Sequence, residues 1–484
     1  MTHDTGILAF GAYVPQRRLQ RAAVAEVHQW FAPGLKGLAK GERAIASWDE
    51  DAITMAVEAA RDCLTERDRE DVTGVVLAST TLPFADRLNA GIVKEALVLD
   101  DAITALDVTG SQRAGTSALI QALSAQGETL VLAADLRKAR PASEAELQQG
   151  DAAAALLVGQ GELVAKLLGR HSQTIDFVDH FRATGVDYDY TWEGRWIRDE
   201  GYTKILGGAL KDALAHFGLH GSQVDRAIIP IPVRGVPESL AKACGIRPDA
   251  VADVLTAAVG DSGVGHPLLM LVAALEKARP GEKILVVGFG QGADVLLFET
   301  TEALASLPKR LGVAGNLARA KKDTNYLRFL FHRGLLDLER GMRAEADQKQ
   351  PGTTLYRHRK AVFGLVGGRC TKTGTVQFPK TEISVNPNDR AEGTQEDYPL
   401  AEKRARIVTY TADSLAYSPD PPTYYGAIDF EGGGRMVAEF ADVTAADVEV
   451  GKAMRMVFRI KSVDELRDFT RYFWKAVPVS EGEA

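Results

Sequence analysis

Two pairs of short apolar runs recur in the same order in the two halves of the first 305 residues, each led into by Ala- and Leu-rich helical patterns. The first pair is residues 74–79 (GVVLAS) and 129–134 (TLVLAA), and the second is residues 226–230 (RAIIP) and 283–288 (KILVVG). Runs of this length, bounded by small or turn-forming residues, read as buried strands. Their alternation with amphipathic helices predicts a layered α/β domain. The repetition predicts an internal duplication of one βαβ-containing unit.

The pattern changes after about residue 305. Residues 326–336 (YLRFLFHRGLL) carry apolar side chains at helical spacing and predict an amphipathic helix. Docking of that helix on the first domain and a plain linker helix are equally open. Polar loops follow at 352–354 and 386–397. Residues 406–411 (RIVTYT), 424–430 (YYGAIDF), 435–440 (RMVAEF) and 455–460 (RMVFRI) then alternate with the period of two that marks strands. Short strands with Gly-rich turns predict a small barrel. The expected boundaries are 1–320 for the α/β domain, 321–350 for the linker helix, 351–399 for a short intermediate segment and 400–484 for the barrel.

Composition narrows the function class. An apolar fraction of 45% with 25% charged residues is ordinary for a globular chain of 484 residues. A net charge of -8 without long like-charge blocks argues against a nucleic-acid partner. No apolar stretch approaches the roughly 20 residues needed to span a bilayer, and the first residues lack a basic region followed by an apolar run. The expectation is a cytoplasmic protein with no membrane partner. Cys63, Cys244 and Cys370 are too few and too scattered for a disulfide framework; Cys63 and Cys244 fall in helical stretches and read as small buried apolar residues.

Residues 6–15 (GILAFGAYVP) read as a strand and its turn, residues 47–60 (SWDEDAITMAVEAA) as an acidic entry into a long helix, residues 150–157 (GDAAAALL) as a Gly-Asp strand and residues 288–293 (GFGQGA) as a glycine-rich turn. In this order these stretches together resemble the archaeal and bacterial 3-hydroxy-3-methylglutaryl-CoA synthases of the thiolase superfamily. The resemblance implies a five-layered αβαβα domain, a coenzyme A thioester as ligand, and homodimerisation.

It also implies where chemistry should sit, and there the chain departs. In residues 107–119 (DVTGSQRAGTSAL), Gln112 stands where the family keeps its nucleophilic cysteine. Thr80, within 79–84 (STTLPF), takes the place of the acid/base glutamate. Pro230, or Ile231 with a slip of one residue, takes that of the histidine that orients the acyl carbonyl. An amide is neither nucleophile nor base near neutral pH, so the covalent step cannot run through position 112. In residues 260–267 (GDSGVGHP), Asp261 aligns with the family's loop asparagine and His266 echoes the Gly-His-Pro loop of thiolases. An Asp261–His266 pair could do acid/base work; the plainer reading makes His266 a local device at a helix start. Arg234 lies where relatives place basic groups near the CoA phosphates. Tyr188, Tyr190, Trp192, Trp196 and Tyr202 crowd one segment that could line an acyl pocket or a subunit contact.

The last third resembles acyl-CoA-associated OB-fold proteins that carry a zinc ribbon before the barrel. Residues 368–379 (GRCTKTGTVQFP) have the ribbon's outline with Thr373 in place of its second cysteine, and residues 384–388 (SVNPN) lack the second pair. One thiolate cannot supply a four-ligand structural site, so no zinc is expected. In relatives such a module sits beside a thiolase, which implies a thiolase-type protein partner. The functional expectation is an acyl-CoA-binding protein with the condensing triad lost, acting in a complex. The alternatives are a cysteine-independent acyl-CoA aldolase, lyase or acyltransferase, and a formal hydroxymethylglutaryl-CoA synthase.

Overall fold

Nine strands follow one hydrogen-bonded path in the computed structural model, which describes residues 4–339 and 352–480. In chain order they are β1 (Gly6–Tyr13), β2 (Val72–Ala78), β3 (Thr104–Val108), β4 (Glu128–Asp135), β5 (Ala152–Gly159), β6 (Ala165–Thr174), β7 (Arg226–Ile228), β8 (Lys283–Phe289) and β9 (Gly292–Thr300). The spatial order is β7-β8-β9-β6-β1-β5-β4-β2-β3. The path is two half-sheets joined at β1–β6 by only Gly6↔Lys166 and Ile7↔Ala165. The duplication read from the apolar runs is visible in the pairing. β2 lies parallel to β4, which turns back antiparallel to β5 and then β1. In the same way β7 lies parallel to β8, which turns back antiparallel to β9 and then β6.

Helices complete the layers. Helix α1 (Ala52–Cys63) covers the outer face of the first half-sheet, packing on β1, β5 and β4. Asp51 starts it with a capping box, its carboxylate accepting from Thr54 N–H at 2.8 Å. Helices α2 (Ala114–Ala122) and α3 (His266–Leu275) each touch strands of both half-sheets and form the middle layer. Nine of the ten α3 residues are buried, as a helix apolar on every side requires. The outer face of the second half-sheet is covered by the helix Gly207–His216. Strand β8 shows why its sequence has no polar alternation. Ile284 and Val286 join the core around α2 and α3, whereas Leu285 and Val287 join the core under Gly207–His216. Close packing reaches the backbone: a Cβ at Gly115 would lie 2.3 Å from the Val264 carbonyl oxygen.

The chain divides into two compact units, one of residues 1–47, 51–91 and 100–329 and the other of 48–50, 92–99 and 330–484. The helix expected over 326–336 is shorter, Tyr326–His332, and Gly334 at φ +66° follows it. Tyr326, in the first unit, is buried; its hydroxyl donates to Glu146 at 2.6 Å and lies 2.7 Å from His28 Nε2. The part of the expected linker helix at 340–350 lies outside the described residues.

In the second unit, strand Thr423–Phe430 pairs with Ala405–Ile407, which pairs with Ala453–Asp464, which pairs with Phe469–Pro478. Arg435–Glu439 pairs with Thr423–Phe430, and the bridge Phe440↔Ala476 returns the path to the last strand, closing the barrel. Inside this unit Lys475 meets Asp49 at 3.0 Å and Glu439 at 3.2 Å. The ribbon-like segment is a three-stranded sheet of Val366–Cys370, Val376–Gln377 and Gln395–Pro399. Its Cys370 lies with Sγ 3.2 Å from the Thr394 hydroxyl.

Candidate active site

The turn that carries Gln112 joins β3 to α2, and its shape is set by contacts to the turn between β8 and β9. Ser111 Oγ donates to the Gly290 carbonyl at 3.0 Å, and Arg113 Nε donates to the same oxygen at 2.9 Å. Arg113 also pairs with Asp294 at 2.8 Å, and that buried carboxylate accepts from Thr116, Ser117 and Ser172. Gly290 has to be glycine: at φ +158° a Cβ would come within 2.8 Å of Ser111 Oγ and 3.1 Å of the Gln112 nitrogen. The backbone thus approaches closely enough to hold Gln112 at the start of α2, on the wall of a cavity of about 180 Å³.

Gln112, Pro230, Ile231, Asp261 and His266 all line this cavity. Thr80 and Arg234 are not among its lining residues. Thr80 is bound to Asp135 at the end of β4, its N–H donating at 2.7 Å and its hydroxyl at 3.1 Å; Ser79 Oγ and the Val264 N–H donate to the same carboxylate. Arg234 lies exposed in the turn before the helix Val236–Ala243.

Asp261 and His266 are tied down locally. His266 is buried at the first turn of α3; its Nδ1 accepts from the Ser262 N–H at 3.3 Å, which leaves Nε2 to donate to the Val254 carbonyl at 2.9 Å. Burial, only partly opposed by Asp261, lowers its pKa. Asp261 meets Arg137 at 2.8 Å and accepts from the Gly263 N–H at 3.0 Å. Burial opposes its ionisation, but Arg137 and His266 outweigh burial and bring its carboxyl down to about 2.

The cavity contains polar groups that the sequence motifs did not single out. Arg137 follows β4, Gln149 precedes β5, and Asp179 and His180 belong to the segment that makes the hairpin of His180–Phe181 with Tyr190–Thr191. Asp179 Oδ1 accepts from His180 at both the backbone N–H, 2.8 Å, and Nδ1, 3.0 Å. Tyr202 lies in the π-helix Ile197–Leu206, a backbone form that recurs at functional sites, and faces Phe289 edge-on at 5.3 Å. Burial, with Asp179 and Asp261 nearby, raises its hydroxyl pKa and keeps it protonated. Of the aromatic segment, Tyr202 faces the cavity, while Tyr190, Trp192 and Trp196 are exposed. One signal was available: polar residues just past the carboxyl end of a buried strand, such as Arg137, mark the ligand side of α/β sheets. The irregular stretch around His180 offers none.

Cys63 is wholly buried, which pushes its thiol up to about 12 and removes it as a nucleophile. Among the described residues no three His, Cys, Asp or Glu side chains stand together as a metal site, and no helix is long and apolar enough to cross a membrane.

Comparison with known proteins agrees with this fold. The chain is 31% identical over 316 residues to the hydroxymethylglutaryl-CoA synthase of Methanopyrus kandleri, covering 63% of this chain and 90% of that protein. It is 29% identical to the enzyme of the same name from Methanosarcina barkeri, covering 68% and 98%. A crystal structure of an HMG-CoA synthase complexed with CoA superposes with a TM-score of 0.61 at 20% identity, over 72% of this chain and 95% of that one. Residues 398–459 match the family model described as the ChsH2 C-terminal OB-fold domain. The architecture is a thiolase-like αβαβα domain followed by an OB-fold domain.

Proposed function

The chain belongs, through about 63% of its length, to the hydroxymethylglutaryl-CoA synthase family, and on that premise we propose that it binds acyl-CoA at the cavity beside Gln112 without forming an acyl-enzyme there. One observation carries the reading: the side chain that the turn before α2 presents to the cavity is an amide, with Pro230 and Ile231, just past β7, on the same lining. Thr80, bound to Asp135, brings no carboxyl of its own. The chain then acts in carbon–carbon bond chemistry of acyl-CoA as a homodimer and with a thiolase-type partner, the role that the OB-fold module suggests. Incubation with acetyl-CoA and acetoacetyl-CoA, followed by intact-mass spectrometry and chromatography, tests it. No acetyl adduct and no hydroxymethylglutaryl-CoA should form, and Gln112→Cys alone should not restore turnover. Product from the isolated wild-type chain would reinstate the plain synthase reading. A sedimentation mass of one chain at micromolar concentration would remove the homodimer.

A second reading, cysteine-independent aldolase or lyase activity, is favoured by the polar groups that remain in the cavity. Asp261 and His266 are committed to Arg137 and to backbone groups. Tyr202 and His180 are the better-placed acid/base candidates, and release of a shortened acyl-CoA by the isolated chain would select this reading.

A further inference from the structure

We infer that His180, oriented by Asp179, is a general base that exchanges a proton with C2 of a short acyl thioester bound in the cavity. The inference deepens the proposed function and rests on acyl-CoA binding there. Three features of the cavity support it. In the neutral ring the Nδ1–H donates to Asp179, so Nε2 carries the lone pair, and among the described residues that nitrogen has no hydrogen-bond partner. Gln149 is 6% exposed and lines the same cavity, yet among the described residues its Oε1 has no hydrogen-bond partner. A buried amide oxygen left without a donor calls for one from a ligand, and the amide N–H groups of a coenzyme A arm supply it. Finally, a volume of about 180 Å³ is below the range of about 300–1,000 Å³ that holds a whole drug-sized ligand, which restricts the buried portion to a short acyl group and the adjoining first amide of the arm.

The step balances without a co-reactant. The C2 proton passes to His180 Nε2, the C–H electron pair moves into the thioester as an enolate, and return of a solvent-exchanged proton regenerates the thioester. Gln112 stands on the cavity wall with an amide N–H able to donate to the enolate oxygen. The groups that face the imidazole are Asp179, Asp189 and Arg137, with Arg182 held on Asp189 at 2.9 Å. Burial lowers the ring's pKa, but the hydrogen bond and charge of Asp179, followed by Asp189, outweigh it and raise the pKa overall.

The test is deuterium incorporation at C2 of acetyl-CoA in D₂O, read by mass spectrometry on the full chain, with acetyl-CoA affinity measured separately by calorimetry. Wild type should bind and exchange. His180→Gln should bind within about threefold and exchange about 100-fold more slowly or worse, the usual span for losing a general base. Asp179→Asn, in which His180 is retained, should move the acidic limb of the exchange profile to lower pH. His216→Gln, an exposed ring away from the cavity, should match wild type. Binding without exchange by wild type, or undiminished exchange by folded His180→Gln, would overturn the inference alone. An unmoved profile in Asp179→Asn would also overturn it. Failure of wild type to bind acetyl-CoA would overturn the binding proposal and this inference with it.

Discussion

Asp261→Asn removes the charge that neutralises Arg137 beside the cavity, and its cost can be worked out. The carboxyl is brought from an ordinary 3.8 to about 2. At 1.36 kcal/mol per pKa unit the drop is worth about 2–3 kcal/mol. The Asp261 side chain is 24% exposed against 8% for Arg137, so solvent screening makes that an upper bound and about 2 kcal/mol the expected loss. Its pH dependence has a definite sign. A carboxyl with a folded pKa below its unfolded one contributes stability that is fully present above 3.8 and is lost as pH falls through about 2. The difference between wild type and Asp261→Asn should therefore be full at pH 7 and about half as large at pH 3. Urea unfolding read by pulse proteolysis with peptide mapping follows the unit that contains Asp261 separately from the other, which matters because two units need not unfold together. With a slope of about 2 kcal/mol per molar urea the midpoint should fall by about 1 M at pH 7. An unchanged midpoint at pH 7, or a difference that does not shrink toward pH 3, would refute the assignment of Asp261 as an ionised partner of Arg137.

Three further outcomes follow from the packing and the ribbon. Gly115→Ala should destabilise the first unit by about 1–3 kcal/mol, because its Cβ would sit 2.3 Å from the Val264 carbonyl oxygen; a thermal scan with no loss would contradict the close approach of α2 to the turn before α3. Tyr326→Phe removes the 2.6 Å hydrogen bond to the buried Glu146 and should cost about 1–3 kcal/mol, with faster amide exchange in residues 144–148; unchanged exchange would separate the helix from that site. Elemental analysis of purified protein should find far less than one zinc per chain, since Thr373 replaces the second cysteine of the ribbon knuckle, and stoichiometric zinc would end that proposal.

What the sequence determined by itself was local and repetitive. The apolar runs of β2, β4, β7 and β8 had to be buried on both faces, so the duplicated sheet could be read before its pairing was seen. The motif around position 112 located one wall of the site, because a turn followed by a helix start is encoded within a dozen residues. Burial decided which polar groups work together, and burial is not local. His266 differs from His180 only in what surrounds it: one has both nitrogens bound to nearby groups of the chain, the other has one nitrogen on a carboxylate and the other without a partner among the described residues. The cavity gathers Gln112, Arg137, Gln149, His180, Tyr202, Pro230 and Asp261 from four different connections of the first unit. No spacing along the chain records that gathering, because these connections converge only when α2 and α3 are buried between the two half-sheets and bring the strand ends together.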